Sequence, residues 1–168
     1  MAKSSIHMKK SVAGIILHNA RENFSYSVVF KDEKNELWND SKQAYKIFRS
    51  ELAIRSEAYT KRTKQKLQKN TATSISAVVN LEYYHTLKDL EELRDYLETE
   101  FGTKVFQMAI HRDEGKLINK KNPKVTLVSG KTFFLNPKNE LLYHEKEFTN
   151  LVNLDEWTIE KNYHAHIE

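Results

Sequence analysis

The chain has 168 residues, 30% of them charged and 39% hydrophobic, a formal net charge of +4, and no cysteine. That is enough chain for one domain with its own core, and it excludes disulfides, thiolate metal sites and cysteine nucleophiles. No apolar run approaches the length of a membrane span, and the apolar stretch before His18-Asn19 is too short for a secretory signal, so a cytoplasmic protein is expected.

In chain order, residues 4–17 read as a strand carrying Ile6, Met8, Val12, Ile15 and Ile16, with Gly14 as a bend, and His18-Asn19-Ala20-Arg21 follows as a loop. Residues 26–30 form a short second strand or part of that loop. Asp40 or Ser41 caps a helix running to about Lys66. Its apolar positions Tyr45, Phe48, Leu52 and Tyr59 fall on one face. The far end of this helix is basic: Arg55, Lys61, Arg62, Lys64, Lys66 and Lys69 stand against one acid, Glu57. Such a stretch is either a solvated helix face or linker, or a surface that contacts phosphates.

Residues 73–81, rich in β-branched side chains, read as a central strand. Thr86 caps a second helix whose buried stripe is Leu87, Leu90, Leu93, Leu97 and Phe101, with Gly102 as its stop. Residues 104–111 are then a strand. Between Gly115 and Tyr163 the character changes, and both prolines lie here. Residues 125–128 and 131–135 flank Ser129-Gly130 as a hairpin, residues 141–144 read as a short strand, and residues 147–154 as a helical turn. Residues 161–168 read as a closing strand.

Two motifs carry the chemistry. Ile110-His111-Arg112-Asp113-Glu114 lies at a strand end, and His164-Ala165-His166 lies on the last strand. Alternation turns His164 and His166 to one face, about 7 Å apart along the strand. If the strand of His111 is their neighbour, three imidazoles converge on one ion, with Glu114 as a fourth ligand or a base beside it. Imidazole suits divalent transition metals, and a carboxylate shifts the preference toward Mn²⁺ or Mg²⁺. A single His-x-His is more often plain polar surface, and a three-histidine zinc hydrolase remains open. His7, His85 and His144 have no such company and read as structural or exposed. Trp38 and Tyr84 read as core aromatics before they read as stacking platforms for bases.

These motifs, in this order, resemble the HUH endonucleases, named for their His-hydrophobic-His motif, and most of all the MobV-type mobilisation relaxases. That family has a His-Asn-x-Arg motif, read here as His18-Asn19-Ala20-Arg21. A His-x-Asp-Glu motif follows, read here as His111-Arg112-Asp113-Glu114, and His164-Ala165-His166 comes last. The resemblance covers nearly the whole chain, with residues 115–163 as an inserted β-hairpin region. It implies one relaxase domain, the N-terminal part of a longer protein, of α+β class: a central antiparallel sheet with a ferredoxin-like core and helices on its faces. It also implies an activity, the nicking and rejoining of one DNA strand at an origin of transfer through a covalent 5′-phosphoryl protein intermediate.

The metal, Mn²⁺ or Mg²⁺, is then held by His111, His164 and His166. The resemblance makes His18 the nucleophile, with Tyr26 as runner-up, and gives Arg21 and Glu114 supporting roles. The partners it implies are single-stranded or hairpin origin DNA and accessory relaxosome proteins. A replication initiator or transposase fragment is an alternative, but it needs a tyrosine after the His-x-His motif. A non-catalytic nucleic-acid-binding module is another. A hydrolase of small molecules ranks last, because it leaves the basic stretch without a role.

Overall fold

The computed structural model describes residues 6–11, 14–23, 33–68, 71–121, 126–127, 132–135, 141–145, 148–151 and 157–168. In chain order its elements are β1 (Ile6–Lys10), α1 (Ile15–Asn19), β2 (Glu36–Trp38), α2 (Ser41–Thr63), β3 (Ile75–Asn80), α3 (Leu87–Phe101), β4 (Met108–His111), β5 (Gly115–Asn119), β6 (Thr126–Leu127), β7 (Thr132–Leu135), β8 (Leu141–Glu145), β9 (Phe148–Leu151), β10 (Trp157–Lys161) and β11 (His164–Ile167). The chain falls into two compact units, Met1–Asn23 with Glu36–Ile110 and Ala165–Glu168, and Phe24–Asn35 with His111–His164.

The first unit is built on a five-stranded antiparallel sheet in the order β1-β3-β11-β4-β2 with helices packed on it, an α+β fold. Its strands alternate cleanly. Ala77 and Val79 of β3, Met108 and Ile110 of β4, and Ala165 and Ile167 of β11 point to one face and form a buried cluster with Leu90 of α3 and with Val105. Leu87, Leu93 and Leu97 pack the same stripe against it. Phe101, expected in that stripe, is 65% exposed and meets Tyr96 edge-on instead. It is the last residue of α3, beyond the edge of the core. Thr86 and Gly102 bound α3 as expected: the Asp89 carboxylate accepts from the Thr86 N–H and hydroxyl, and Gly102 takes the left-handed φ of 58°.

On α2, Asp40 is the N-cap and accepts from the Gln43 N–H at 2.7 Å. The helix ends at Thr63, with Lys64 as a left-handed C-cap. Ala44 is its buried residue, packed with Ile16, Phe106, Tyr45 and Phe48. Tyr45, Phe48, Leu52 and Tyr59 are all half-buried, and Tyr45 and Phe48 pack against the Ala44 cluster.

Several expectations are corrected. Residues 15–17 are not strand and His18-Asn19 is not loop: they form α1. Gly14, at a φ of 88°, turns the chain after β1, a conformation that suits glycine, and a three-residue apolar run does not by itself set a period. The strand at residues 161–168 is two strands, β10 and β11, parted at Asn162-Tyr163, where the Asn162 N–H bonds to Glu114 O. Residues 148–151 of the expected helical turn are strand β9, paired with β8. β6 and β7 do not form a hairpin with each other, because β6 pairs with β5 and β7 with β8; cross-strand partners outweighed a local turn signal. Ser129-Gly130 and the second strand expected at residues 26–30 lie outside the described residues. In the second unit the strands form two three-stranded sheets, β10-β5-β6 and β7-β8-β9. Among the described residues no helix is long and apolar enough to cross a membrane.

Candidate metal centre

β4 and β11 are neighbours in the five-stranded sheet. Gln107, just before β4, and Glu168, just after β11, exchange backbone hydrogen bonds. Continued in the same antiparallel register, that pairing sets His111 beside His164, and their ring centroids are 5.4 Å apart. Because Ile110, Ala165 and Ile167 face α3, the intervening His111, His164 and His166 face the other way. All three histidines are buried. The imidazoles expected from two separate strands therefore share one face of one sheet.

A fourth imidazole joins them. His18 lies in α1, and its ring meets that of His166 edge-on at 5.5 Å between centroids. Ligand nitrogens of His18, His111 and His166 all lie within 4.8 Å of one another. Nitrogens bound to one tetrahedral ion at ordinary metal–imidazole lengths are roughly 3.4 Å apart, so the three reach one divalent ion once each pair closes by up to about 1.4 Å. The donor set, three imidazoles with a carboxylate close by, suits a first-row divalent metal. His164, expected as the third ligand, stands next to this group. Its Nδ1 bonds the Asn162 carbonyl at 3.0 Å, and its Nε2 is 3.8 Å from Glu114 Oε2. In the tautomer with the proton on Nδ1, Nε2 carries the lone pair a metal needs.

Glu114 is buried beside His164. Arg112 and Asp113 of its motif are held by residues just ahead of β2. The Asn35 side-chain carbonyl accepts from the Arg112 N–H at 2.8 Å, its amide donates to Asp113 at 2.7 Å, and the Arg112 guanidinium bonds Lys34 O. Arg21 follows α1 with a φ of 57°, and its N–H bonds His18 O. Tyr26 and Lys69 lie outside the described residues. Arg55, Lys61, Arg62, Lys64 and Lys66 are all exposed at the end of α2 and just beyond it. Of these, Arg55 bonds Gly102 O and Glu51, and Lys61 pairs with Glu57. Trp38 packs against the core with Arg94 over its ring, whereas Tyr84 is 74% exposed and stacks on His85. His7 is exposed on β1, and His144 lies on β8.

Polar side chains that belong to no sequence motif also pack on the histidine face. Gln107 and Asn19 are buried and bonded to each other at 3.2 Å. Glu168 accepts from Ser76 at 2.6 Å and from Ser11 at 3.0 Å. Burial holds the Glu168 carboxyl above the usual carboxylate range, against the hydrogen bonds from Ser76, Ser11 and Asn19 and the charge of Lys9, which pull it down. The signal was present: Gln107 and Glu168 are an even number of residues from His111 and His166, so strand alternation puts all four on one face.

Neither a protein-family model, nor a curated protein, nor a solved structure matches the chain.

Proposed function

We propose that this chain is the catalytic domain of a plasmid-mobilisation relaxase of the HUH class, which nicks one DNA strand at an origin of transfer and later rejoins it. The observation that carries the reading is the approach of His18 to His111 and His166, with ligand atoms within 4.8 Å of one another. His111 and His166 would hold Mn²⁺ or Mg²⁺, with His164 rather than His18 as the third imidazole so that the His18 lone pair stays free, and with Glu114 orienting the site. A divalent ion bound there would supply Lewis-acid polarisation of a phosphodiester oxygen.

His18 is the nucleophile. Its neutral imidazole nitrogen attacks phosphorus, an N–P bond forms, and the P–O3′ bond breaks. The imidazole proton passes to the departing 3′ oxygen, leaving a 3′ hydroxyl and a phosphoramidate on the 5′ side. That link stays reactive, so the same hydroxyl reverses the step and reseals the strand. Arg21, three residues on, holds a phosphate as a planar fork. Arg55, Lys61, Arg62, Lys64, Lys66 and Lys69 follow the phosphates of a single-stranded or hairpin substrate. The reaction belongs in the cytoplasm, with accessory proteins that open the origin.

The test is covalent capture. A pool of random single-stranded oligonucleotides labelled at the 3′ end is incubated with the protein and Mn²⁺ and run on a denaturing gel. The expected product is labelled protein, acid-labile as a phosphoramidate is, and absent for His18→Ala. Persistence of the adduct in His18→Ala with its loss in Tyr26→Phe moves the nucleophile to Tyr26. No adduct with any sequence in the pool overturns the relaxase reading.

A further inference from the structure

α1 has only five residues, starts from a left-handed glycine and lacks a side-chain N-cap bond. A helix that short does not hold itself together, since nucleation costs more than one turn of bonds returns. Its position, and with it the position of His18, must be set by what it packs on. Ile16, buried with Ala44 and Phe106, and Ile15, half-buried against the same cluster, supply the apolar contact. An apolar contact is non-directional and leaves the helix able to roll about its own axis.

We propose that Gln107 is the positioning residue that stops this roll and holds the His18 imidazole against His111 and His166. Gln107 is fully buried, and its amide grips α1 at two points. Nε2 donates to Ile16 O at 3.3 Å, and Oε1 accepts from Asn19 Nδ2 at 3.2 Å. Nε2 also reaches Asn39 O at 3.3 Å, just ahead of α2. The backbone of the same residue exchanges hydrogen bonds with Glu168, two residues past His166. One side chain therefore ties the helix carrying His18 to the pair of strands carrying the other two histidines.

The tolerance of the site makes this matter. Side-chain tips lie about 5–6 Å from a helix axis, so a roll of about 20° moves the His18 ring by roughly 2 Å. Productive geometry tolerates only about 0.5 Å. Two directional hydrogen bonds on one amide fix the roll in a way that non-directional packing at Ile15 and Ile16 does not.

The functional consequence rests on the metal-site reading above, but the geometry is testable without metal. In metal-free protein, proton NMR should show a cross-peak between the rings of His18 and His166. Gln107→Met, which keeps length and volume but loses the amide, should lose that cross-peak while the backbone amide spectrum stays folded. Asn19→Ala, which cuts one of the two grips together with the Asn19 bond to Glu168, should weaken it, while Glu168→Ala, which of these two bonds cuts only the latter, should keep it, and this pair decides the matter if Gln107→Met does not fold. Adduct formation with the oligonucleotide pool should fall by at least tenfold in Gln107→Met and Asn19→Ala, while Mn²⁺ affinity by calorimetry stays near that of the wild type. A lower melting temperature with the cross-peak and the adduct yield unchanged would mean that Gln107 only stabilises the fold, and would overturn the proposal. If the wild type takes up no Mn²⁺, the metal reading fails, and the cross-peak still decides whether Gln107 positions His18.

Discussion

Ile110 and His111 are adjacent on β4, yet they serve opposite faces of the sheet. Ile110 is 1% exposed in the cluster beneath α3, and Ile110→Ala should cost about 2–5 kcal/mol by cavity formation. For a chain of this size each kcal/mol is worth about 2–4 °C in melting temperature, so a drop of roughly 4–20 °C is expected. The metal face is left alone, and Mn²⁺ binding at 20 °C should match the wild type. His111→Ala does the reverse, removing an imidazole from the convergent group. Metal at one hundred times its dissociation constant adds about 2.7 kcal/mol of stability, a rise of roughly 5–11 °C. Thermal melts with and without Mn²⁺ should show that rise in the wild type and in Ile110→Ala, and not in His111→Ala. A Mn²⁺-induced rise that survives in His111→Ala but is lost in folded Ile110→Ala would refute the assignment of the two faces.

Three further outcomes follow from particular contacts. Gly102→Ala should destabilise α3 by about 1–2 kcal/mol, the cost of a left-handed alanine, because an added Cβ meets nothing within 4 Å and only its φ of 58° is strained; chemical denaturation reads this. The backbone N–H of Thr86, together with its hydroxyl, holds the Asp89 carboxyl below its ordinary value of 3.8. The stability this bond contributes is present above pH 3.8 and is lost as pH falls through the lower folded value, so Asp89→Asn should lower the melting temperature at pH 7 and flatten its acid limb. Changing Lys61, Arg62 and Lys64 together to glutamate should weaken binding of single-stranded oligonucleotides and reduce its salt dependence by about one unit of slope per lost phosphate contact, while Mn²⁺ uptake stays as in the wild type.

The α+β class, α2, α3, β3 and β4 were legible because their patterns are long or sharply bounded. Asp40, Thr86 and Gly102 mark helix ends through local chemistry that tertiary contacts did not override. The convergence of His111 with the last strand was legible too, since alternation fixes the face once the strands are neighbours. The turn into α1 was not, because Ile15-Ile16-Leu17 is apolar in either period and only Gly14 hints at the break. The strands between Gly115 and Lys161 escaped where short segments depend on partners far along the chain: β9 is strand because β8 lies beside it. Gln107 and Asn19 were invisible as a pair because 88 residues separate them, and their meaning comes from the helix they fasten.

The most direct measurement is diffraction from a crystal grown with Mn²⁺, using its anomalous signal. One strong peak is expected on the sheet face opposite α3, within bonding distance of the imidazoles of His111 and His166, with the His18 ring at its edge and facing it. A peak elsewhere, or ordered histidines with no peak at saturating Mn²⁺, would contradict the metal-site reading.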